Sequence, residues 1–443
     1  MDEKRKATWG WAIYDWANSA FATTVMAGFF PIFFKQYWSA GTDVNVSTAQ
    51  LGFGNAAASL LVALLAPVLG AIADKGAAKK RFLLLFAYLG VLMTASLFLV
   101  QKGAWQGAIF LYVMGNIGFS GANIFYDALL PTVSSSENID FVSGAGFSLG
   151  YLGGGLLFLV NVAMTLSPEA FGLTDASQAV RFSFLTVAVW WGGFTLFTAL
   201  WVPETRLPRS AVHLGRMIAD GLRQIYSTSK TVARYRTAFL FLIAYWFYID
   251  GVHTIIRMAV DYGLSLGFAS TDLILALLIV QFVGFPAALT FGKLGQKWSV
   301  RRSIYIAIFI YIGITMWGAF MTSKNEFYVM AVFIGLVQGG LQALSRSYYA
   351  RFIPPGQYGE FYGFYNMLGK FAAILGPALI AVVGLGVRAM LMPPDAVREQ
   401  AEQIGRMASR ASIASVAVLF VIGLVLFFFV DEEKGRKEAG SRL

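Results

Sequence analysis

Twelve apolar runs constrain this chain more than any other feature of its sequence. They fall at about residues 9–34, 50–73, 82–100, 106–130, 141–166, 180–202, 237–262, 271–291, 303–322, 327–350, 359–384 and 411–430. A helix rises about 1.5 Å per residue, so roughly 20 such residues cross the hydrocarbon core of a bilayer. Only 13% of the 443 residues are charged, against about 25% in soluble domains. The chain therefore reads as an all-α integral membrane protein. The basic N-terminus resembles the start of a signal peptide. The apolar run behind it is too long and carries Asp15 and Asn18, so it reads as a retained first helix.

Orientation follows from lysine and arginine. With the N-terminus inside, 24 of the 34 Lys and Arg residues fall in inner segments, and Arg257 and Lys370 lie within spans. Both termini are thus expected in the cytoplasm, and a bacterial inner membrane is the expected location. The net charge of +10 is a matter of topology, and no nucleic-acid partner is expected. There is no cysteine, hence no thiolate metal site; neither a metal nor a cofactor is expected.

The polar stretch 203–236 divides the spans six and six. Leu214, Met217, Ile218, Leu222 and Ile225 recur in it at helical spacing, as in an amphipathic helix on the inner leaflet. The expected organisation is a six-helix bundle at 1–202, a cytoplasmic linker at 203–236 and a second six-helix bundle at 237–443. The two bundles read as a repeat. Gly70-Ala71-Ile72-Ala73-Asp74-Lys75 after the second run aligns without a gap with Gly292-Lys293-Leu294-Gly295-Gln296-Lys297 after the eighth. Asp15 and Asn18 in the first run match Asp250 and His253 in the seventh at the same i, i+3 spacing.

Charges inside spans are expensive in lipid and default to functional hypotheses. Asp15 and Asn18 share a helix face. In the seventh run Asp250, His253, Arg257 and Asp261 form one stripe, expected to line a cavity between the bundles; an internal ladder of Asp and Arg is the structural alternative. His253 reads either as a proton relay or as a plain hydrogen-bonding residue. Lys370, with Asn366 one turn before it, needs a carboxylate partner. Trp16, Trp246 and Tyr248 are candidate cavity walls. Asn116, Asn123, Gln281, Gln338 and Gln342 read as interhelical hydrogen-bonding groups. Asp74, Lys75, Asp127, Arg346 and Arg351 gather near the inner ends of spans, where opposite charges on the two bundles can form a gate or simply meet headgroups. Gly144, Gly146, Gly150, Gly153, Gly154 and Gly155 thin one side of the fifth run for close packing.

Residues 70–81 resemble the signature G-x-x-x-D-[RK]-x-G-x-[RK]-[RK] of the major facilitator superfamily, with Ala77 at the eighth place and a glycine one position earlier at Gly76. Lys79 to Arg81 would anchor to anionic lipid. A narrower resemblance covers nearly the whole chain. Tyr14-Asp15-Trp16-Ala17-Asn18-Ser19, Asp127 with Pro131, Gly146 to Gly154, Asp250-Gly251, Ser345-Arg346-Ser347, Ile353-Pro354 and Phe361-Tyr362-Gly363 are similar to the autophagy-related vacuolar amino-acid effluxer family. This implies twelve transmembrane helices in two pseudo-symmetric bundles, the major facilitator fold. It also implies a secondary active transporter working by alternating access.

A small polar or zwitterionic metabolite, an amino acid for export in particular, is the expected substrate. Lys370 or Arg257 would take its carboxylate and Asp15 or Asp250 its ammonium, with protons as a candidate coupling ion and a monomer as the expected state. Export of a divalent metal through Asp15, Asn18, Asp250 and His253 is the alternative. An integral-membrane enzyme or a channel is a further class; no HExxH, serine-nucleophile or phosphate-loop motif appears, so no catalytic residue is assigned.

Overall fold

The computed structural model describes residues 2–41, 50, 54, 57–66, 69–70, 78–204, 230–372, 375–393 and 398–440. Asp74, Lys75 and the linker stripe at 214–225 lie outside the described residues, as do the side chains of Arg257, Asp261 and Lys370. The described chain is helical throughout. The helices are α1 (Glu3–Trp38), α2 (Ala57–Ala66), α3 (Lys79–Leu99), α4 (Trp105–Val133), α5 (Ile139–Leu166) and α6 (Ala176–Trp201). After residue 230 follow α7 (Arg236–Ser265), α8 (Ser270–Leu294), α9 (Val300–Phe320), α10 (Lys324–Ala350), α11 (Tyr358–Phe371) and α12 (Leu375–Leu391). The chain closes with α13 (Arg398–Ser415), α14 (Ala417–Phe428) and α15 (Glu432–Glu438).

Among the described residues nine helical stretches are long and apolar enough to cross a membrane. One of these, Thr271–Phe320, is 50 residues long, about 75 Å as a single helix and too long for one crossing. It turns at Ser299, whose backbone is extended (φ −179°, ψ 131°).

Local chemistry sets several starts. Asp175 caps α6, its carboxylate accepting from Gln178 N at 2.8 Å. Ser323 and Glu326 exchange side-chain and backbone bonds at the start of α10, the capping-box arrangement. Bonds between helix ends show which ends share a side. Thr8 Oγ1 donates to Val133 O at 2.7 Å, Thr198 Oγ1 to Gly10 O at 2.7 Å and Lys80 N to Glu204 Oε1 at 3.2 Å. Thr237 N donates to Glu438 Oε2 at 2.9 Å. The starts of α1, α3 and α7 therefore lie beside the ends of α4 and α6 and beside α15. At the opposite end Gly103 N donates to Tyr37 O at 3.2 Å and Arg410 Nη2 to Met321 O at 3.3 Å.

Two departures from regular helix bear on the site. α1 contains π-helical turns at Phe21–Phe29 and Phe34–Trp38. The run at 359–384, expected as one continuous span, is divided: α11 ends at Phe371, capped by Ala372 (φ −65°, ψ 5°), and α12 begins at Leu375. Pro377 explains the break: it has no N–H, and its ring meets the carbonyl four residues back in a continuous helix. The N–H groups exposed at the start of α12 are met by a carboxylate from α7: Leu375 N and Gly376 N donate to Asp250 Oδ2 and Oδ1 at 3.1 and 2.9 Å. A side-chain cap of this kind contributes about 0.5–2 kcal/mol.

α5 lies between α1 and α8, and its glycines serve both contacts. A Cβ at Gly153 would sit 2.6 Å from Trp16 O, and one at Gly144 would sit 2.8 Å from Ala288 O. The close packing expected from this glycine series is what the structure shows.

Candidate functional site

A cavity of about 340 Å³ opens where α1, α4 and α5 face α7, α8, α10 and α11. Each helix presents one stripe to it. α1 contributes Asp15, Asn18, Ser19, Ala22 and Thr23; α4 contributes Phe119, Asn123, Tyr126 and Asp127. Tyr245, Ile249 and His253 come from α7, Gln338, Gln342 and Arg346 from α10, and Asn366 and Gly369 from α11. The spacings, three or four residues and their sums, are those of one face of a helix. The π-helical part of α1 begins at this wall.

Asp15 accepts from Tyr126 Oη at 3.1 Å. The Tyr126 ring stacks on Trp11 with centroids 4.2 Å apart, and Trp11 Nε1 donates back to Tyr126 O at 2.8 Å. Asn18 Nδ2 donates to Asn123 Oδ1 at 2.7 Å, and Gln281 Nε2 reaches across to Thr23 Oγ1 at 2.7 Å. Two of the carboxamides read as interhelical hydrogen-bonding groups, Asn123 and Gln281, thus play that part while also lining the cavity.

At the end of the cavity nearer the termini, Arg346 is buried against α4 and α5. Its Nη1 donates to Asp127 Oδ1 at 3.1 Å, its Nε to Ser143 Oγ at 3.0 Å and its Nη2 to Ser143 O at 3.1 Å. The guanidinium also lies over the rings of Phe147, Trp11 and Tyr126, 4.6–5.2 Å from their centroids. Asn366 Nδ2 completes the cluster, donating to the other Asp127 oxygen at 2.9 Å. Beyond it, Arg351 bridges Asp140 on α5 and Glu432 on α15, at 2.6 Å to each. Gln296 donates to Glu137 O at 2.9 Å. At this end ion pairs join helices from the two sides of the linker.

Asp15, Asn18, His253 and Asn366 come together on the cavity wall. Asp250 and Trp16 do not, and both require correction. Asp250 is fully buried and its oxygens are turned to α12. The wall of α7 runs through Tyr245, Ile249 and His253, and Asp250 lies about 100° around the helix from Ile249. Trp16 is likewise one position off the Asp15–Asn18–Ser19 face and stacks on Trp190 at 5.3 Å. Tyr248, also expected at the wall, is buried on Ser345 at 2.7 Å. With Asp250 turned away, the four-residue metal set is not assembled. Sequence reasoning missed Tyr126, Ser143 and Asp140. Asp140 carries a signal, a carboxylate one residue into a helix; Ser143 carries none.

Long apolar helices surround a polar cavity, and comparison with solved structures gives the fold as that of the major facilitator superfamily, a class of membrane transporters. The human organic anion transporter MFSD10 superposes with a TM-score of 0.70 at 15% identity, over 96% of this chain and 100% of that one. The proton:xylose symporter XylE superposes at 0.65 and 15% identity, over 98% and 96%. Within that class the chain belongs to the family described as Vacuole effluxer Atg22 like, whose model matches residues 3–50 and 39–384. It is 38% identical to YxiO of Bacillus subtilis, an uncharacterised MFS-type transporter, over 96% of this chain and 94% of the relative. Autophagy-related protein 22-2 of Penicillium rubens is 26% identical over 69% of this chain, which spans about half (52%) of that fungal protein. The resemblance to an effluxer family within the major facilitator superfamily is thereby borne out, and the protein is a transporter rather than an enzyme.

Proposed function

We propose that the protein is a twelve-helix secondary transporter of two six-helix bundles, 1–202 and 237–443 joined by 203–236, that exports a small zwitterionic metabolite, an amino acid in the first instance. The alternation of helix ends supports the count, with α11 and α12 together forming one crossing and α13 and α14 another. The observation that carries the substrate reading is the cavity wall itself. Of its two carboxylates Asp127 is paired with Arg346, while Asp15 stands beside Asn18 and Ser19, a set suited to an ammonium group. Carboxamides and hydroxyls cover much of the remainder. Arg257 and Lys370 are the proposed partners for the substrate's carboxylate; Asn366 and Gly369, which precede Lys370 on α11, are on the wall.

With both termini cytoplasmic, as the basic bias supports, the end with the ion pairs is the inner one. Asp127–Arg346 and Asp140–Arg351 then act as the inner gate, parting when the cavity turns inward. Proton coupling through Asp15 or His253, the bacterial inner membrane and a monomeric state belong to the same proposal.

Thermal stabilisation of the purified protein across a metabolite panel tests it, because a ligand that binds only the folded state raises stability with the logarithm of its concentration over Kd. Neutral amino acids are expected to raise the melting midpoint, and Asp15→Asn and Lys370→Ala to abolish the response. Stabilisation by divalent metals or sugars, with none by amino acids, would overturn the substrate reading.

A further inference from the structure

Asp250 is a charged side chain with no place on the cavity wall, yet the structure gives it a definite task. It lies about 21 Å along α7 from Arg236, close to mid-membrane. Its oxygens accept from Leu375 N, Gly376 N and Thr254 Oγ1, the last at 3.2 Å. The two backbone donors belong to the first turn of α12, where N–H groups have no partner within the helix. The contact between α7 and α12 is too tight for any side chain at 376: a Cβ there would fall 2.8 Å from Asp250 Oδ1 and still closer to Thr254. Directly before the break, α11 carries Asn366 and Gly369 on the cavity wall.

We propose that Asp250 is a positioning residue for transport: by holding the start of α12 it fixes the break in this span and so places the cavity-lining face of α11. The carboxylate of α7 acts as a pin between two parts of one interrupted helix, and movement of α7 is passed to the wall at Asn366 through it. The consequence for transport rests on the cavity being the binding site, but the geometry can be read without any substrate.

The absence of cysteine from the chain makes that reading direct. Single thiols are introduced by Gly369→Cys on α11 and, as a control on the same cavity, by Ala22→Cys on α1. Their rates of reaction with a water-soluble maleimide are measured with Asp250 intact and with Asp250→Ala. The rate at 369 is expected to change about tenfold, the factor that corresponds to roughly one charge-assisted hydrogen bond, while the rate at 22 stays the same. Asp250→Asn, isosteric and still able to accept one N–H, keeps the fold measurable and should give a smaller change confined to 369. An unchanged rate at both thiols would overturn the proposal, as would equal changes at both, which mark general loosening. No metabolite enters the assay, so the thiol rates decide the role of Asp250 even if every candidate substrate fails to bind.

Discussion

Arg346 and Asp127 meet with side-chain exposures of only 4% and 10%, so the pair is costly to break from one side. Removing one partner of a buried ion pair typically costs about 3–5 kcal/mol, whereas replacing both with apolar groups is often neutral. Asp127→Ala should therefore lower the melting midpoint of the detergent-solubilised protein sharply. The double variant Asp127→Ala with Arg346→Met should recover most of the loss. Equal melting of single and double variants would mean that the charges do not depend on each other. Both residues stood out in the sequence as charges near span ends, and the cross-set pair follows from that placement. Ser143 did not stand out, because it is one serine in a small-residue helix and its partner is 203 positions away. Asp250 was conspicuous as an intramembrane carboxylate. Its i, i+3 relation to His253 leaves the two about 60° apart on the helix, too close for spacing alone to decide which faces the cavity.

Helices were legible because apolar runs of bilayer length can be satisfied in lipid only by internal hydrogen bonding. Their interruptions were less so. Pro377 marks a candidate break, but prolines within membrane helices are tolerated wherever neighbours satisfy the freed groups; α4 continues through Pro131 and α8 through Pro286. At the start of α12 the freed groups are met by a carboxylate from α7, and no local pattern contains it. The glycines of α5 were legible as a packing surface, while their division between α1 and α8 was not. That division makes a prediction. Gly153→Ala would set a methyl 2.6 Å from the backbone oxygen of Trp16, so α1 and α5 must separate and the melting midpoint should fall. Gly193→Ala on α6 has nothing within 4 Å of the new Cβ and should leave the midpoint unchanged. Because alanine favours a helix over glycine, similar losses from both substitutions would show that the close approach at Gly153 is not what lowers the midpoint.

For the whole molecule the question is whether the charge pairs at the terminus-bearing end open and close during transport. Arg351 is central because it ties α10 to α5 through Asp140 and to α15 through Glu432. If these pairs are the inner gate, opening the cavity toward this end parts Asp140 from Arg351, while the contacts of α5 with α8 along Gly144 and Gly292 persist as a pivot. A tether across the first pair should then stop the cycle without distorting the cavity. Asp140→Cys with Arg351→Cys in the otherwise cysteine-free chain, joined by a short bifunctional methanethiosulfonate, supplies such a tether, and a reductant removes it. The untreated double variant, its latch already lost, should still transport whichever metabolite stabilises the protein. The bridged form should bind that metabolite with thermal stabilisation retained but transport none, and reduction should restore the untreated rate. Transport that continues at full rate with the bridge in place would mean that this end stays shut throughout the cycle, and the gate would have to be sought elsewhere.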